Sequence, residues 1–245
     1  MGANIVEIRP SVSVGRWVNK SGYNADVDSA AAEDIIAAGG DQYWPAAEVS
    51  AASIDISSGA AADTAAGTGA REITIFGLDG NFVEQSETIA LNGTSAVNPT
   101  KNYLRIHRAF CGAAGSGGEN AGLITIADGT GTFAVIPAGD GQTQQATYTV
   151  PAGYVLALEH ASIRVETPTV SSTIRAKVQT RAGTGFCWRT QDTLKASENK
   201  DGVGLFVPAV DKFPAGTDIR IRVIEAGAND LFVSAKFIGY LEPRP

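Results

Sequence analysis

At 245 residues, 44% of them hydrophobic, the chain is long enough to bury a sizeable core and too apolar to be disordered throughout. Its 28 glycines against 2 histidines and 1 methionine suit short strands and tight corners, and suit long helices poorly. The formal charge of −7 opposes binding to nucleic acid, whose affinity rests on Lys and Arg displacing counterions, and opposes a polybasic membrane-binding surface equally.

No stretch approaches the ~18 apolar residues of a membrane span, and the opening MGANIVEIRP lacks the apolar core of a signal peptide. The chain therefore reads as soluble, made in the cytoplasm and unprocessed. Cys111 and Cys187 are too few for a disulfide scaffold or a zinc knuckle, so two buried free thiols are expected.

Residues 1–50 read as an N-terminal arm. An extended piece is expected over residues 5–14, interrupted by Pro10. One short helix is expected over residues 29–38, with alanines of high helix propensity, Ser29 as cap and Gly39-Gly40 as stop. Ile35 and Ile36 must then dock on something, because ten residues make a marginal helix. Deleting residues 1–45 is expected to leave a folded β body that attaches less well to its neighbours.

From Ser53 onward the pattern alternates with period 2, the mark of half-buried strands. Ile54 and Ile56 open a first strand, and a small-residue loop covers 59–69. Residues 72–76 (EITIF) form a strand with Ile73 and Ile75 on one face. Residues 82–87 and 88–91 follow, the latter ending at Asn92-Gly93, a strong hairpin signal. The strand 103–110 places Leu104, Ile106 and Phe110 on one face, and Tyr103, Arg105 and His107 on a polar one. A second glycine-rich connection, 112–122, leads to strands 123–126 and 132–136, paired around Asp128-Gly129.

Residues 136–158 hold two Pro-Ala-Gly corners, at Pro137 and Pro151, around a strand in which Ala146, Tyr148 and Val150 alternate with Thr147 and Thr149. Proline is expected at the first turning position and glycine at the left-handed one. A third corner begins at Pro214. The first 121 residues carry 7 basic and 14 acidic side chains and the remainder 12 of each, so this stretch reads as the hinge between two β layers. Beyond it, Ile163 and Val165, then Ile174, Ala176 and Val178, then Ile219, Ile221 and Val223, then Leu231, Val233, Ala235 and Phe237 alternate with polar residues. The fold class is all-β, an antiparallel β-sandwich or jelly roll. Three parts are expected: the arm at 1–50, a β domain or first layer at 51–150, and a second at 151–245.

Catalytic constellations are scarce, and no enzyme is expected. His107 reads as a solvated histidine on a polar face and His160 as a half-buried strand residue. Ser116 lies in a flexible glycine loop that lacks the strand-to-helix turn of a hydrolase elbow. The glycine loops at 67–69 and 115–118 lack the Gly-Lys-Ser/Thr of a phosphate loop. Asp128-Gly129 and Asp140-Gly141 are turns, without calcium-loop spacing. Catalytic, cofactor-binding and metal-binding residues are each expected to be none, and no cofactor is called for. The basic row Arg164, Arg175, Lys177, Arg181, Arg220 and Arg222 is either a solvated face or a surface for an acidic partner, such as the acidic first half of a neighbouring copy. Phe186, Trp188 and Phe206 nearby would favour an interface if exposed.

Residues 63–79 (DTAAGTGAREITIFGLD), 86–94 (SETIALNGT), 103–122 (YLRIHRAFCGAAGSGGENAG) and 136–153 (IPAGDGQTQQATYTVPAG) together resemble virion structural proteins of tailed bacteriophages, over roughly residues 52–165. The resemblance implies a protein of the virion, assembled in the host cytoplasm, with no catalytic residues to carry over. A head decoration or cement protein is the first expectation. Its partners would be the major capsid protein or other virion proteins, and it would self-associate as a homotrimer. The alternative is a fibre or receptor-binding module that recognises host glycan. A carbohydrate-active enzyme stands third, because paired carboxylates are invisible in sequence.

Overall fold

The computed structural model describes residues 15–166, 172–198, 200–206 and 211–244; the extended piece expected over 5–14 lies outside the described residues. Among the described residues sixteen strands follow one another: β1 (Arg16–Val27), β2 (Glu33–Asp34), β3 (Asp55–Ser58), β4 (Ala70–Leu78), β5 (Glu84–Ala90), β6 (Arg105–Ala114), β7 (Ile124–Ala127) and β8 (Thr132–Ile136). Then come β9 (Thr147–Thr149), β10 (Tyr154–Glu166), β11 (Thr173–Arg181), β12 (Arg189–Ser197), β13 (Gly202–Leu205), β14 (Lys212–Pro214), β15 (Asp218–Ala226) and β16 (Leu231–Pro243). The pairings between them are antiparallel, and the helical structure among the described residues is one 3-10 turn, Ala51–Ser53.

Two hydrophobic cores organise these strands. The larger belongs to a sandwich whose first sheet runs β1-β16-β10-β13, with β14 also on β10, and whose second runs β12-β11-β15-β2, with β9 also on β15. Leu156, Ile163, Val233 and Phe237 of the first sheet meet Ile174, Val178, Ile221 and Val223 of the second. The smaller core joins the sheets β3-β7-β8 and β5-β4-β6 through Ile56, Ile73, Ile75, Ile106, Ile126 and Phe133. Each such side chain, fully buried, contributes roughly 1.5–3 kcal/mol. The smaller unit is threaded into the chain between β2 and β9, so the sandwich is built from both ends of the sequence.

The expected helix over 29–38 is absent. Glu33 and Asp34 pair with Val223 and Arg222 of β15, the Ile35 amide donates to the Ile221 carbonyl at 3.0 Å, and Ile35 and Ile36 are buried. Ser29, the expected cap, gives its hydroxyl to Asn229 Oδ1 at 2.6 Å. Burial of two isoleucines and strand pairing outweigh a propensity worth only tenths of a kcal/mol per alanine, about 0.7 at most. Nor are residues 16–36 a detachable arm: β1 pairs along its length with β16, and Val18, Val27 and Ile35 belong to the sandwich core.

The three Pro-Ala-Gly corners are real, with one shift of position. The amides of Asp140, Tyr154 and Thr217 donate to the carbonyls of Pro137, Pro151 and Pro214 at 3.1, 3.3 and 3.2 Å. Proline therefore opens each turn, alanine takes the first turning position, and Gly139, Gly153 and Gly216 take the second with φ of 80, 80 and 79°, the type II geometry that glycine favours. Asn92-Gly93 also turns the chain, the Ser95 amide donating to Asn92 O at 3.1 Å, but it joins no pair of strands as a hairpin.

The two glycine-rich loops of the smaller unit are bound to each other. The Gly115 and Gly117 amides donate to Gly69 O and Thr68 O, each at 2.8 Å, and a Cβ on Gly115 would stand 2.2 Å from Gly67 O. Gly115→Ala must push backbone from backbone, with an expected loss of ~1–3 kcal/mol in a urea melt. Buried Asp63 ties the same loops, accepting from the Ser58 hydroxyl at 2.5 Å and from the amides of Ala70, Ala121 and Gly122 at 2.7, 2.8 and 2.9 Å. Burial pushes its carboxyl up, but these bonds outweigh burial and hold it below the usual range. Its stabilisation is thus full above the unfolded value of about 4 and is lost as pH falls through the lower folded value. Asp63→Asn is expected to be less stable than the parent at pH 7, and urea melts should show that gap narrowing in acid.

Candidate functional site

Where the two units meet, both faces of β6 are covered. Ile106 and Ala109 enter the smaller core, while Arg105 and His107, expected on a solvated face, are buried against the sandwich. Asp218 is the centre of this junction. Its Oδ1 accepts from Arg105 Nε at 3.1 Å and the Thr149 hydroxyl at 2.6 Å, and its Oδ2 accepts from Arg105 Nη2 at 3.1 Å and Arg181 Nε at 3.0 Å. Arg105 Nη1 reaches the carbonyls of Pro45 and Leu104, both at 2.9 Å. The Arg181 guanidinium lies 4.5 Å from the Trp188 ring centre and that of Arg220 lies 4.0 Å from it, within cation–π range. β9, read as half-buried, is buried on both faces: Tyr148 joins the core, and Thr147 and Thr149 serve the polar junction.

Beside the junction an open cleft of about 330 Å³ separates β1 from the smaller unit. β1 supplies Arg16, Asn19, Lys20 and Ser21; the opposite wall carries Phe76, Glu84, His107 and Arg108; Gln142, Thr143 and Tyr148 complete it. Arg16 pairs with Glu84. Lys20 Nζ donates to the His107 carbonyl, and Arg108 Nη2 donates to Gln142 Oε1 at 2.5 Å; neither cation forms an ion pair among the described residues. Burial, reinforced by Arg108, pushes the Lys20 ammonium down to about 7. His107 accepts the Thr149 amide on Nε2 at 3.2 Å, its ring centre is 4.3 Å from that of Tyr148, and burial plus the nearby Lys20, Arg105 and Arg16 push it well below its usual value. It is a neutral, structural imidazole at pH 7.

The remaining sequence candidates scatter. The basic row finds its acidic partner within the same chain: Arg220 and Arg222 both reach buried Asp34, at 3.3 and 3.1 Å, and Arg222 also reaches Asp41. Arg175 pairs with Glu225 and Arg164 with Glu166 on the surface. His160 is half-buried on β10, and Ser116 is exposed in a turn. Asp128 accepts the Thr130 and Gly131 amides, both at 2.9 Å, and the Tyr43 hydroxyl at 2.8 Å, which is turn chemistry; Asp140 accepts the Tyr23 hydroxyl at 2.8 Å. The thiols differ from expectation: Cys111 is half-buried, pushed up to about 11 by burial and then by Asp63, and Cys187 is exposed. Asp26 near the end of β1, half-buried Asp28 and exposed Asp230 bring carboxylates within 4.8 Å of one another.

Lys20, Arg108, Phe76 and Asp218 carry no motif that would single them out; only the tertiary fold assembles them. No protein-family model matches the chain, and neither a curated protein nor a solved structure does.

Proposed function

We propose that the chain is a structural component of a tailed-bacteriophage virion: a decoration or cement protein that binds the major capsid protein or neighbouring virion proteins, stabilises the head shell and associates as a homotrimer. One observation carries this reading: the edge strand β13 is inside out. Val203 and Leu205 point outward, 56 and 80% exposed, while Gly202 and Gly204 face inward. Among the described residues β13 ends its sheet, pairing with β10 on one side. Apolar side chains on the outer face of a terminal strand contribute nothing to this chain's own core, and an unpaired apolar edge is a template for another chain. Phe186, 64% exposed on the loop before β12, adds an aromatic of the kind enriched at interfaces. Arg105, His107 and Asp218, in contrast, are engaged in internal bonds that hold the two units together.

Leu205→Asp tests the reading. The variant is expected to keep the parent's thermal midpoint and to lose self-association in light scattering, along with attachment to shells lacking the protein. Unchanged assembly and attachment would overturn it. The second reading, a fibre or receptor-binding module for host glycan, is favoured by the cleft beside Phe76.

A further inference from the structure

We propose that the cleft between β1 and the smaller unit binds an acidic saccharide, with the sugar carboxylate between Lys20 and Arg108 and the ring against Phe76. This deepens the glycan reading by assigning the ligand a charge, and it is independent of where the protein sits in a particle.

The charge balance of the cleft leads to this ligand. Three cations line it, Arg16, Lys20 and Arg108, against one carboxylate, Glu84. Glu84 is taken by Arg16. Among the described residues, the hydrogen-bond partners of Lys20 and Arg108 are neutral oxygens, the His107 carbonyl and the Gln142 amide. Two like charges in a half-enclosed cleft repel; burial is the larger cause of the lowered Lys20 value and Arg108 the lesser one. An anion between them removes the repulsion and gains charge-assisted hydrogen bonds.

The aromatic wall selects among anions. Phe76 is 41% exposed, and its ring is stacked on Phe110 with centres 5.7 Å apart, while Arg108 lies 5.4 Å from the Phe110 ring centre. A fixed, exposed ring beside two cations matches the apolar C–H face and the carboxylate of a uronic acid. Asn19, Ser21 and Gln142 stand around the cleft as partners for hydroxyls. A volume of about 330 Å³ falls at the small end of ligand sites, suited to one or two sugar rings. An inorganic anion would make no use of the ring, and the chain's net charge of −7 disfavours a nucleic-acid backbone.

Titration of the full chain with sodium glucuronate, glucose and inorganic phosphate, followed by calorimetry or NMR shifts, tests the assignment. Glucuronate is expected to bind at least tenfold more tightly than glucose or phosphate. Arg108→Gln, at an exposed position without an ion pair among the described residues, is expected to fold normally and to weaken glucuronate tenfold or more, with Phe76→Ala weakening both sugars. Above pH 7 affinity for glucuronate should fall as Lys20 loses its proton, since Arg16 and Arg108 stay charged and His107 is already neutral. Glucose binding as tightly as glucuronate overturns the acidic assignment and leaves the glycan reading standing. Binding of neither sugar overturns both. Phosphate binding more tightly, or glucuronate binding undiminished in Arg108→Gln, also overturns the proposal.

Discussion

Asp218→Asn is expected to remove about 3–5 kcal/mol of stability, because it leaves two buried guanidinium groups without a countercharge. The Asp218 side chain is fully buried, and those of Arg105 and Arg181 are 4 and 10% exposed, so water cannot replace the lost carboxylate. Against a typical total of roughly 5–15 kcal/mol, this is a large share, and the urea midpoint should drop accordingly at constant slope. Glu225→Gln supplies the control. Its pair with Arg175 has the same chemistry at 2.9 Å but stands in solvent at both ends, where such pairs contribute about 1 kcal/mol or less. A midpoint for Asp218→Asn no lower than that of Glu225→Gln would mean that the junction does not hold the units together.

Deleting residues 1–45 is expected to abolish cooperative folding altogether. The sequence alone predicts the opposite, a stable body with weakened attachments. Loss of β1 strips Val18 and Val27 from the larger core and leaves β16, Leu231–Pro243, with one edge unpaired. Loss of Asp34 leaves Arg220 and Arg222 without their buried carboxylate, and loss of Ile35 opens a cavity against Ile221. Each cavity of this kind costs ~2–5 kcal/mol in large-to-Ala substitutions, so the sum exceeds a normal stability margin. The truncated chain should be recovered aggregated, without a sigmoidal melt. A sharp melting transition near the parent's would show that β1 and β2 are dispensable.

The longer strands of the sandwich were legible because alternate residues of each are apolar and pack into the core. Ile219, Ile221 and Val223 alternate with arginines in the sequence and point into the core in the structure. The same holds for β11, β16 and, in the smaller unit, β7, while β8 is buried on both faces from Phe133 to Ile136. Period-2 reading fails where a second unit covers the polar face. Arg105, His107, Thr147 and Thr149 look like solvent-facing residues of β6 and β9, and nothing local distinguishes them from such residues. Their burial is a property of how two cores dock.

The segment 29–38 failed for the converse reason: its local preference is helical, and long-range pairing with β15 overrides it. The basic row was half legible. The sequence leaves a solvated face and a surface for an acidic partner both open: Arg164 and Arg175 stand in solvent, while Arg220 and Arg222 reach Asp34 of the same chain. The cleft was not legible at all, since Lys20, Phe76 and Arg108 come from three separate strands.

Counting copies of the chain in purified particles by quantitative mass spectrometry tests the proposed role most directly. A decoration protein is expected at a copy number close to that of the major capsid protein, in register with a trimer at the shell's three-fold positions. A few copies per particle, or none, would contradict it.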